Sequence, residues 1–72
     1  MELTENNKKE VKFSGLRSEM AKFGHKYSTL AKLLDIPESS VSRRFSGEIS
    51  WTMDEIEIIC KYYNKDYYQL FT

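Results

Sequence analysis

The chain turns a corner at Asp35-Ile36-Pro37, and that corner limits what the flanking segments can become. Before it, Leu30, Ala31, Leu33 and Leu34 recur at helical spacing. Proline disfavours α geometry in the residue ahead of it, yet it suits the opening of a new helix. After it, Val41 and Phe45 stand four residues apart, so one face of the next segment is apolar. Gly47 follows where a left-handed residue would stop that helix. Tyr27 to Gly47 therefore reads as two short helices joined by a tight turn.

The apolar positions in this segment are specific. Ala31 is small enough to let a second helix cross closely, Ile36 can plug the corner, and Val41 can pin the second helix from beneath. The opposite face of that helix is left with Glu38, Ser39, Ser42 and Arg43, small polar and basic groups of the kind that reach base edges. The pattern is that of a helix-turn-helix. On spacing alone, an ordinary helical hairpin is the alternative.

Seventy-two residues allow one domain with a thin core. Ten aromatic residues partly compensate, because each buries a large area. The spacing predicts further helices on both sides of the corner. Leu16, Met20 and Phe23 form a stripe after a possible Ser14 cap, and Gly24 ends it. His25 follows in a loop, Lys26 and Tyr27 lead into the next helix, and Ser28 or Thr29 can cap it. Arg17 and Lys22 read as solubilising surface groups. Beyond Ile49 and Trp51, Thr52 and Glu55 form a capping box for a helix with Met53, Ile56, Ile59, Cys60 and Tyr63 on one face. Asp66 and Gln69 offer a second such pair before a last short helix, with Leu70 and Phe71 closing the core. Tyr62, Tyr63, Tyr67 and Tyr68 are too dense for all to be buried, so some of them should form a contact surface. The expected architecture is an all-α bundle of about five short helices over 13–72, preceded by a mobile, charged tail over 1–12.

Charge and chemistry narrow the function. The net charge is zero, divided as +1 over residues 1–22, +1 over 23–51 and −2 over 52–72. A strong, purely electrostatic nucleic-acid binder is thereby disfavoured, although distribution counts for more than the sum. Lys8, Lys9 and Lys12 of the tail read first as groups that solvate the terminus, with reach to a phosphate backbone or a minor groove as the alternative. The single cysteine, Cys60, cannot form an internal disulfide, and no metal-ligand spacing, nucleotide loop or paired nucleophile and base is present. No enzyme activity, cofactor or metal is expected. With no apolar run near the roughly 18 residues a membrane span requires and no signal-like start, a cytoplasmic protein is expected.

From Leu16 to Phe71 the sequence resembles the Cro/repressor, or XRE-class, family of phage helix-turn-helix regulators. The matching pieces are L-R-S-E-M-A-K-F-G, T-L-A-K-L-L-D-I-P-E-S-S-V-S-R-R-F-S-G, W-T-M-D-E-I-E-I-I-C and D-Y-Y-Q-L-F. The resemblance implies a lambda-repressor-like fold, with Ser28 to Asp35 as positioning helix and Glu38 to Ser46 as recognition helix. Glu38, Ser39, Ser42 and Arg43 would then face bases. Lys26, Tyr27, Ser28, Ser40 and Arg44 would lie at or near the phosphate backbone of a double-stranded operator in a lysis/lysogeny switch. Four positions depart from the family pattern: Asp35 stands where glycine is usual, Pro37 and Glu38 open the recognition helix, and Lys26 replaces a Ser or Thr cap. They leave room for a second implied role known among phage proteins of this style, that of an antirepressor. Such a protein binds the DNA-binding domain of the cognate phage repressor, here through the same surface.

Overall fold

The computed structural model describes residues 12–71, so most of the expected tail lies outside the described residues. Among the described residues five helices follow in order: α1 Ser14–Lys22, α2 Tyr27–Leu34, α3 Glu38–Ser46, α4 Met53–Tyr63 and α5 Tyr67–Leu70. The all-α architecture matches the expectation, and among the described residues there is no strand. Among the described residues, no helix is long and apolar enough to cross a membrane.

Left-handed residues end most of these helices. Gly24 (φ 68°) follows α1, Asp35 (φ 59°) caps α2, Gly47 (φ 88°) caps α3 and Asn64 (φ 56°) caps α4. Such a residue turns its N–H back onto the last carbonyls of the helix, and Gly, Asn and Asp bear the conformation at least cost. Asp35 thus adopts the backbone geometry that makes glycine usual at this corner. The Ile36 N–H donates to the Ala31 carbonyl at 3.0 Å, and Pro37, extended at φ −64° and ψ 151°, occupies the cap position of α3.

The core is built from the expected corner residues together with the flanking helices. Leu16, Leu30, Val41, Ile59 and Leu70 are fully buried, and Met20, Ala31, Phe45, Tyr63 and Phe71 complete the buried set. Ile36 is half-buried against this cluster. Short α5 packs on α1, where Gly15 presses against the Gln69 backbone; a Cβ at position 15 would collide with the Gln69 carbonyl oxygen. Both capping pairs form. Thr52 Oγ1 accepts from the Glu55 N–H at 3.1 Å, and Asp66 Oδ1 accepts from the Gln69 N–H at 3.0 Å.

Several sequence expectations are corrected. Ser14 does not cap α1: it is already helical, and the cap is Phe13, a bulky residue in the left-handed region at φ 58°. That conformation directs the Phe13 ring inward, edge-on to Phe45, Trp51 and Phe71, each with centroids 6.1 Å away. Phe23 and Met53 were expected to be buried but are 62% and 80% exposed. Phe23 follows the last turn of α1 and leaves its stripe, while Met53 begins α4 before that helix meets the core. Thr29, not Ser28, serves the start of α2, its Oγ1 accepting from the Lys26 N–H at 3.1 Å.

Candidate nucleic-acid interface

Helix α3 divides cleanly by face. Val41 and Phe45 are buried, while Glu38, Ser39, Ser42 and Arg43 are exposed along one outward surface. Rotation of about 100° per residue produces this division, placing 38 and 42 one turn apart and 39 and 43 beside them. Glu38 lies in the first turn and Arg43 in the last, so each sits at the end of the helix dipole that favours its charge. The four expected base-facing residues therefore share one accessible face.

The expected backbone-side residues are distributed differently. Lys26 is exposed just ahead of α2, and Ser28 and Ser40 are half-buried. The Tyr27 ring stacks on Phe45 with centroids 4.8 Å apart and planes 10° from parallel. Tyr27 thus packs the start of α2 against α3. Its hydroxyl accepts a hydrogen bond from Arg17 at 3.3 Å.

Arg44 points away from the face that Arg43 occupies. Its Nε and one terminal nitrogen donate to the two Glu55 oxygens at 2.9 and 3.0 Å, and the other terminal nitrogen donates to the Ser40 carbonyl at 3.0 Å. Only 11% of the Arg44 side chain and 13% of the Glu55 side chain are accessible. Burial pushes the Glu55 carboxyl up, but hydrogen bonds from Arg44 and the Thr52 N–H outweigh it and hold the group below the usual carboxylate range. In the sequence, Glu55 has an adequate role as a helix-capping acid. Its ion pair with a residue on another helix leaves no mark in local spacing.

Arg17 is more than the solubilising surface group its position implied. Instead of extending freely into solvent, its guanidinium lies 4.7 Å from the Phe45 ring centroid and donates to the Lys12 carbonyl at 3.0 Å. It shares a shallow surface cavity with Lys26 and Tyr27, so a second cation stands at the entry to α2. The Lys12 side chain runs past the end of α3, where its Nζ would lie 3.5 Å from a Cβ on Gly47. Positive groups thus flank α3 on the α2 side and at its C-terminal end, while Asp35, Glu38 and Glu48 keep the region only weakly basic.

These features define a small all-helical domain that presents one polar helix face beside a few fixed cations. The family model described as the BetR domain matches residues 7–72, and the chain belongs to that family of small, phage-associated regulatory domains. No curated protein and no solved structure gives a significant match.

Proposed function

We propose that the protein is a phage-type transcriptional regulator that acts in the bacterial cytoplasm and binds double-stranded operator DNA through a helix-turn-helix formed by α2 and α3. The observation that carries this reading is the undivided exposed face of α3, held outward by Val41 and Phe45 on its buried side. Laid in a major groove, Arg43 would donate to a guanine, Ser39 and Ser42 would take either partner, and Glu38 would accept from a cytosine amino group. Lys26 and Arg17, beside Tyr27, would meet the phosphates and set the register. Rounds of selection from a randomised duplex library, followed by mobility shift at low salt, test the reading. A shared sequence should emerge, and Arg43→Ala should cost about 1–3 kcal/mol and relax the preference at one position. A pool that stays random through selection would defeat it.

A second reading has one observation in its favour. The Arg44–Glu55 pair uses a cation that operator binding would otherwise employ, leaving Arg43 opposed by Glu38 on the outward face. A mixed-charge surface of this kind suits a protein partner, and the partner would be the DNA-binding domain of the cognate phage repressor. In that case the protein alone shifts no DNA but alters the shift produced by the repressor.

A further inference from the structure

Two consecutive arginines lie near the end of α3, and they do different things. Arg43 is exposed on the outward face. Arg44, about 100° further round the helix, commits three nitrogens to fixed acceptors, two on Glu55 and one on the Ser40 carbonyl. The same Glu55 oxygen that receives Arg44 Nε also receives the Thr52 N–H at 3.0 Å. One carboxylate therefore joins α3, the connection after Gly47 and the first turn of α4.

We infer that Arg44 is a positioning residue for DNA recognition, clamped by Glu55 so that it fixes the angle at which α3 stands on the fold and makes no phosphate contact itself. This rests on the DNA-binding reading above. To reach a phosphate, Arg44 would have to abandon a two-point pairing and leave a largely covered carboxylate without its cation, which is a costly state. Fork geometry also favours the observed arrangement, because two parallel donors on two oxygens fix direction as well as distance. The reading face and its brace thus come from neighbouring positions in the sequence, and of the two arginines Arg43 alone adds to the charge that meets DNA.

Salt dependence separates a brace from a phosphate ligand. Each phosphate contact contributes about 0.9 to the slope of log affinity against log salt. The slope is measured on a duplex recovered from the selection for the native protein, Arg43→Gln, Arg44→Gln and Glu55→Gln, with helical content checked by circular dichroism. Arg44→Gln and Glu55→Gln should each weaken binding severalfold at an unchanged slope. Arg43→Gln, assigned above to a base, should relax sequence preference, whereas Lys26→Gln, measured alongside as an assigned phosphate contact, should lower the magnitude of the slope by about 0.9. A shallower slope for Arg44→Gln, or tighter and steeper binding by Glu55→Gln, would overturn the inference. A urea-denaturation cycle on the two single variants and the double variant reads the clamp without DNA. The double should be no less stable than the weaker single, and strictly additive losses would also overturn the inference. Failure of the native protein to select any duplex, with the cycle still non-additive, would instead count against the DNA-binding reading.

Discussion

The Tyr63 hydroxyl and the His25 Nδ1 meet at 2.7 Å, joining the last turn of α4 to the loop that enters α2. Burial, then the neighbouring Tyr62 and Glu19, push the Tyr63 phenol up to about 12. A phenol whose folded value is raised contributes stability that is complete below the unfolded value near 10 and is lost as pH climbs from there through about 12. Spectrophotometric titration should show one tyrosine ionising late, together with unfolding, and Tyr63→Phe should remove that late step. The same change should cost about 0.5–1.5 kcal/mol at neutral pH through loss of the hydrogen bond to His25.

The acid limb depends on carboxylates. Glu55 is held low as described above. The Lys22 hydrogen bond lowers Glu19 against the opposing effect of burial, with Lys65 assisting. Groups with depressed folded values contribute stability that is present above the ordinary carboxylate value of about 4.3 and is lost as pH falls below it. Denaturation midpoints should therefore drop as pH is lowered through that range. Glu55→Gln should flatten the drop and cost about 1.5–3 kcal/mol at pH 7, as expected for hydrogen bonds to a charged group.

Position 15 reverses a common rule. Replacing a helical glycine with alanine usually stabilises by up to about 1 kcal/mol. Here the added methyl meets the Gln69 carbonyl, and α5 must move away from α1. Gly15→Ala should destabilise by about 1–3 kcal/mol, as overpacking does. Thermal melts that show a gain would mean that α5 does not rest on α1 as described.

The corner gives the opposite sign. Asp35 holds φ at 59°, where a side chain is a burden. Asp35→Gly should be neutral or stabilising by up to about 1 kcal/mol, offset in part by the greater freedom of glycine in the unfolded chain. Asp35→Val should destabilise by more than that, since a β-branched residue tolerates this region poorly. Chemical denaturation of the two variants checks the pair of signs.

Much of the fold was legible because its determinants are local. Val41 with Phe45, Leu16 with Met20, and the pairs Thr52–Glu55 and Asp66–Gln69 are all within four residues of each other, and the structure places them as their spacing implied. Local spacing failed at the edges of stripes, where Phe23 and Met53 fall outside the part of the helix that meets the core. It also failed for side chains whose partners are distant in sequence. His25 pairs with Tyr63, Arg44 pairs with Glu55, and Arg17 covers Phe45, and no periodicity encodes such pairings. The outward face of α3 was readable residue by residue, whereas the commitment of Arg44 to Glu55 was not.

Among the described residues, the four longest helices span only 9, 8, 9 and 11 residues. Isolated helices shorter than about 12–15 residues are marginal in water. The polar outward face of α3 therefore has no existence apart from the packed domain, and a peptide copied from Glu38 to Ser46 would be mostly unfolded. Whatever melts the core erases that face with it, so heat or a core mutation would abolish the proposed binding and the fold in a single step.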